Sequence, residues 1–147
     1  MSELSSIYQH LGGKRVVGKS MWKSTLDLHR SIVLGLPVGC VIYFKKHTGL
    51  SNVHMSKALG VSEKTFIRWQ DDPDKLLDPV VSDRLVRTAK IMGLAEEVLE
   101  DAQSARAWLS RAQPALGNEI PQDLLRTETG AKQVEDLLLR MEHGYLA

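Results

Sequence analysis

Apolar residues recur at helical spacing from one end of the chain to the other. Leu4, Ile7, Tyr8 and Leu11 fall at i, i+3, i+4 and i+7, the stripe of a short amphipathic helix that Gly12-Gly13 stops. Lys14 to Lys23 reads as a basic, Gly-containing connector. A second helix is predicted from Ser24 or Thr25 to Gly35, with Leu26, Ile32 and Val33 turned inward. Pro37 opens a third, which runs to about His47 and closes at Gly49. Two short helices follow, about Ser51 to Leu59 and Glu63 to Gln70, split by Gly60-Val61-Ser62. Asp78-Pro79 supplies an N-cap and an N1 proline for a helix with Val80, Val81, Leu85, Val86, Ile91 and Met92 as its apolar positions and Gly93 as its end. Leu94 to about Arg111 is helical again with a break near Gln103-Ser104, Ala112 to Ile120 is a loop, and Pro121 starts a short helix. A last helix, about Glu128 to His143, buries Val134, Leu137, Leu138 and Met141 and has Gly144 just past its end. No stretch alternates as a strand does. The predicted fold class is all-α, divided into residues 1–23, 24–93 and 94–147.

Composition narrows the class. Of 147 residues 43% are hydrophobic, 25% charged and 5% aromatic, which suits one domain or two small ones sharing a core and excludes a disordered tail. The longest apolar run, Ile32 to Phe44, is broken by Gly35, Pro37 and Gly39 and is shorter than the ~20 residues a spanning helix needs, so no membrane partner is expected. Cys40 is the sole cysteine, which removes disulfide frameworks and multi-cysteine metal sites. No secretory signal opens the chain, and the expected location is the cytoplasm. The near-neutral total hides an asymmetry. Residues 1–92 carry 14 Lys and Arg against 8 Asp and Glu, and residues 93–147 carry 5 against 10. A basic front suits a polyanion, and an acidic back suits a different task.

Asn52 to Trp69, NVHMSKALGVSEKTFIRW, has the pattern of a helix-turn-helix. Such a unit needs a small residue where its helices cross, a glycine at the turn and apolar residues pinning the second helix. Ser56, Gly60 and the set Met55, Leu59, Val61, Phe66 and Trp69 answer those needs. Ser62 is a good N-cap for the second helix, which would offer Ser62, Glu63, Lys64, Thr65 and Arg68 to a major groove. Arg68 suits either a bidentate guanine contact or a phosphate, and Lys64 and Thr65 suit phosphate or base edges. Ser51 and Asn52 open the preceding helix, where backbone N–H groups can hold a phosphate. The plainer reading is a helical hairpin with a solvated polar face. Lys14, Arg15, Lys19 and Lys23 either add backbone contacts or are simply solvated.

Gly13 to Ser20, GKRVVGKS, matches the phosphate-loop expression G-x-x-x-x-G-K-[ST]. That chemistry requires a buried strand delivering the loop, and the preceding SSIYQHLG has helical spacing, so nucleotide hydrolysis is set aside. The five histidines make no metal-ligand spacing; His54 reads as a surface residue and Cys40 as a small buried hydrophobe. Neither an enzyme activity nor a cofactor is expected.

From Ala107 onward the elements WL, PALG, IPQDLLRT, GAKQVEDLL and RMEHGY resemble the antitoxins of RES–Xre toxin–antitoxin modules, related to ParS and MbcA. The resemblance extends over about Leu26 to the end, and residues 108–145 are its most specific part. It implies an Xre-like helix-turn-helix region followed by a small helical toxin-binding domain. It also implies a cognate RES-domain toxin that consumes NAD and is neutralised by covering its active-site cleft. Operator DNA is the second implied partner, with homodimerisation and repression of the chain's own operon. By position, Arg126, Thr127, Arg140, Glu142, Gly144 and Tyr145 are the residues expected to reach the toxin. Pro121, Gly130, Val134, Leu137 and Leu138 are expected to build the fold. Two departures stand out. Asn118 occupies a position where the family has a second glycine, and Asn tolerates the left-handed conformation that glycine would supply. Leu139 stands where a small residue is common, widening the apolar face of the last helix. The alternative reading is a helix-turn-helix repressor with no toxin partner.

Overall fold

The computed structural model describes residues 2–144. Among these the regular elements are helical: α1 (Glu3–His10), α2 (Gly13–Val17), α3 (Thr25–Leu34), α4 (Val38–Thr48), α5 (Asn52–Leu59), α6 (Glu63–Arg68), α7 (Pro79–Leu99), α8 (Ala102–Leu109) and α9 (Glu128–Glu142). Three 3-10 turns, Trp69–Asp71, Pro114–Leu116 and Pro121–Arg126, join them. The only strand-like bridges among the described residues are the isolated ones of Pro37 with Leu76 and Gln113 with Glu119. No described helix is long and apolar enough to cross a membrane.

Local chemistry starts most of the long helices. Ser24, Ser51, Ser62, Asp78, Asp101 and Thr127 each accept a backbone N–H from the first turn of the helix that follows. Hydrogen bonding from Ser104 holds the exposed Asp101 carboxyl below its ordinary range. Asn118 has φ 63°, the left-handed conformation expected of it.

The tertiary structure corrects several sequence expectations. The helix opened by Pro79 does not stop at Gly93 but continues to Leu99, and Glu100, at φ 75°, ends it. Gly93 serves close packing instead, since a Cβ there would lie 2.5 Å from the Ser6 hydroxyl of α1. The chain turns at Glu100-Asp101 rather than at Gln103-Ser104. The boundary placed between residues 93 and 94 therefore falls inside α7, and both regions share that helix. In α3 the buried face is Leu28 and Ser31, while Leu26 and Val33 are more than half exposed. Ser31 is inside because its hydroxyl accepts the Trp22 indole N–H at 2.8 Å.

The segment expected to be a basic connector is part of the core. Gly13–Val17 is helical, Val17 and Trp22 are buried, and the Tyr8 hydroxyl donates to the Lys19 carbonyl at 2.6 Å. Tyr8 and Trp22 meet edge to face with centroids 5.3 Å apart. Because α1 precedes this segment and its first five residues are helical, GKRVVGKS is not a phosphate-cradling loop.

One hydrophobic core runs through all of this, from Ile7 and Leu11 through Phe44, Leu59 and Leu85 to Val134 and Leu138. α9 joins it through a tight approach, where a Cβ on Gly130 would run into the Leu124 carbonyl. Gly130→Ala is expected to destabilise the chain by more than ~1 kcal/mol, lowering Tm by about 3 °C or more in thermal unfolding. An unchanged Tm would contradict that approach.

Candidate functional site

α5 and α6 form a helix-turn-helix built as the sequence predicts. Ser56 is buried at the crossing, and Met55, Leu59, Phe66 and Trp69 are buried with Val61 packed beside them. Gly60 turns the chain at φ 71°, a conformation that costs other residues about 1 kcal/mol or more. A side chain there would also meet Arg84, whose Nη1 lies 2.5 Å from the Cβ position.

The outer face of α6 gathers most of the expected DNA-contacting residues. Ser62 Oγ accepts the Thr65 N–H at 3.0 Å and donates to Thr65 Oγ1 at 3.0 Å. Arg68 Nη2 reaches the same Thr65 oxygen at 3.5 Å. Lys64 is exposed beside them. Ile67, which the sequence reading passed over, is 52% exposed on this helix. An apolar side chain presented there suits a thymine methyl. Its signal was available, because Phe66 and Trp69 claim the inward positions and leave Ile67 outside. On α5, Ser51 is exposed and caps the helix through the His54 N–H, whereas the Asn52 side-chain oxygen is buried with no partner among the described residues.

A polar seam ties this unit to the C-terminal residues. His54 is not a free surface residue, for its Nδ1 lies 2.8 Å from Asp123 Oδ1, both side chains being about one-fifth exposed. Lys57 Nζ is 3.7 Å from the other Asp123 oxygen. From α7, Arg84 donates to the Leu59 carbonyl at 3.3 Å and to the Arg126 carbonyl at 3.1 Å. Arg87 donates to the Leu125 and Arg126 carbonyls, both at 3.0 Å. Arg84, Arg87 and Asp123 were not legible as a group, because their partners are remote in sequence. Gln122, fully buried in the same segment, has no partner for either amide atom among the described residues.

The residues expected to touch a toxin are not brought together. Arg126 and Thr127 stand at the start of α9, while Arg140, Glu142 and Gly144 are exposed at its far end. The length of α9 between Thr127 and Arg140 separates the two groups by about 20 Å. Tyr145 lies outside the described residues. Cys40 is fully buried, and burial pushes its thiol up to about 12, which leaves it unreactive near neutrality.

Residues 27–90 match the antitoxin Xre-like helix-turn-helix domain, and residues 94–144 match the antitoxin Xre/MbcA/ParS C-terminal toxin-binding domain. An antitoxin Xre of Yersinia enterocolitica is 30% identical over 115 residues, covering 78% of this chain and 77% of that protein. The chain belongs to the Xre antitoxin family. Further antitoxins named Xre are similar: one from Pseudomonas putida is 28% identical over 83% of this chain and 75% of its own length, and one from Photorhabdus laumondii is 26% identical over 90% and 95%. In this Xre-family chain the seam thus joins a DNA-binding domain to a toxin-binding domain. A double-mutant cycle of His54→Ala and Asp123→Ala at pH 7 is expected to give a coupling of roughly 0.5–1.5 kcal/mol in denaturant unfolding. Strict additivity would remove that contact from the seam.

Proposed function

We propose that this chain neutralises a NAD-consuming RES-domain toxin by covering its active-site cleft, and that it represses its own operon by binding operator DNA as a homodimer. The observation that carries this reading is the joining, through α7, of a recognition helix with exposed Ser62, Lys64 and Arg68 to a domain of the toxin-binding family. On the DNA side Ser62, Lys64, Thr65 and Arg68 read the groove, and Ser51 and Asn52 stand at the helix end that approaches a phosphate. On the toxin side Arg140, Glu142 and Gly144 make the contact, with Tyr145 following them in sequence. An arginine at an exposed helix end suits a pocket shaped for the phosphates of NAD. Arg126 and Thr127, about 20 Å away at the start of α9, are left out of that surface. The chain itself supplies no chemistry in this reading.

Two variants separate the two activities. Arg140→Glu is expected to abolish rescue of growth and cellular NAD on co-expression with the product of the adjacent gene, with operator affinity unchanged. Arg68→Ala is expected to weaken operator binding by roughly 5- to 100-fold while rescue persists. Wild-type chain that gives no complex and no rescue would leave the repressor reading in its place.

Homodimerisation has support of its own. A helix-turn-helix on a two-fold operator needs two recognition helices one turn of DNA apart. Leu34 is 62% exposed and Val33 lies beside it, while Leu76 and Val80 are also more than half exposed. Gly35 brings the first pair close to Leu76, whose Cβ lies 3.4 Å from its own Cβ position. We assign these side chains to the contact with a second copy. Leu34→Glu is expected to halve the mass in light scattering and weaken operator binding, and an unchanged dimer would move the contact elsewhere.

A further inference from the structure

We propose that Arg126, which belongs to the toxin-binding domain, is a DNA contact. It grips a backbone phosphate beside the recognition helix, so the domain assigned to the toxin also forms one edge of the operator interface. This inference rests on the operator-binding reading above and extends it to a residue outside the helix-turn-helix.

The position of Arg126 carries the argument. Its Nε lies 3.4 Å from the Cβ position of Gly60, the turn residue of the helix-turn-helix. Gly60 is two residues ahead of Ser62, which caps α6. Residues at that end of a recognition helix enter the groove first, and the phosphates flanking the groove lie to their sides. Arg84 approaches the same glycine from α7 and fastens the Arg126 carbonyl, so the backbone that carries Arg126 is held in place.

Charge supports the same assignment. The Arg126 side chain is exposed and makes no ion pair among the described residues. It lines an open cleft of about 420 Å³ with Arg84, Arg87 and Thr127. Asp83 and Glu128 face the same cleft, and Arg87 engages Asp83 at 3.4 Å. Three guanidinium groups against two carboxylates leave a net positive rim, and two of them, Arg84 and Arg126, stand against the Gly60 turn that leads into α6. The other end of α9, with Arg140 and Gly144, is about 20 Å away. A toxin held there leaves Arg126 uncovered, so the two ends of one helix can serve two partners.

The test is a fluorescence-anisotropy titration of the full chain on two duplexes of equal length, one carrying the promoter of its own operon and one scrambled, from 50 to 200 mM salt. Arg126→Gln is expected to bind both duplexes roughly three- to tenfold more weakly. The slope of log K against log salt should fall by about one, and rescue from the toxin should be intact. Arg126→Lys, which keeps the charge, should restore the slope and so separates a phosphate contact from a folding defect. Wild-type affinity and slope in Arg126→Gln would overturn the proposal, as would loss of toxin rescue with DNA binding unchanged, which would give Arg126 to the toxin. If the wild-type chain binds neither duplex, the operator reading fails and this inference falls with it. If Arg68→Ala loses promoter preference while Arg126→Gln binds both duplexes as the wild type does, the reading stands and only the role of Arg126 is refuted.

Discussion

A helix of 21 residues with apolar side chains on several of its faces is unstable in water until neighbours cover it, and α7 is such a helix. Leu85, Ala89, Ile91, Met92 and Ala95 are essentially inaccessible, and Ser82 and Thr88 are buried as well. α1, α3, α5, α8 and α9 all pack against it. The two buried hydroxyls are both satisfied, since Ser82 accepts the N–H of Leu36 from the segment before α4 at 2.9 Å and Thr88 donates to the Arg84 carbonyl at 2.8 Å. Covering α7 therefore determines how the DNA-binding and toxin-binding parts of the chain sit relative to one another.

Apolar burial alone does not set an orientation, because it is nearly non-directional. The seam supplies direction. Arg87 places donors on the carbonyls of Leu125 and Arg126, and Arg84 on those of Arg126 and, at the end of α5, Leu59. The partly buried His54–Asp123 contact adds a second point of attachment. Breaking one partner of such a pair leaves a desolvated polar group behind, so these contacts specify geometry more than they add net stability. A perturbation at Pro121–Arg126 is thus felt directly at the turn of the helix-turn-helix, with no flexible linker between.

α9 gains a particular meaning in this arrangement. Its apolar face, Val134, Leu137 and Leu138, is spent on the core, so only its two ends and its charged outer face remain for partners. Lys132 with Asp136 and Lys90 with Glu135 neutralise much of that outer face. Cationic side chains with no ion pair among the described residues remain at the ends, Arg126 just before the first turn and Arg140 in the last. The acidic balance of residues 93–147 does not describe either end.

Local features were written in the sequence: the serine, threonine and aspartate caps, the left-handed Gly60 and Asn118, the pairing of α5 with α6 and the all-helical class. Each depends on atoms a few residues apart, so spacing and residue type suffice to specify it. Tertiary structure alone decided that Gly93 lies within a helix rather than ending one, because its reason is the hydroxyl of Ser6. It alone turned Leu26 and Val33 outward, because the indole of Trp22 made Ser31 a core residue. It alone brought His54 to Asp123, Arg84 to Leu59 and Arg126 to Gly60. Those contacts join residues from 25 to 69 positions apart, and no local pattern encodes which distant partner a charged side chain will meet.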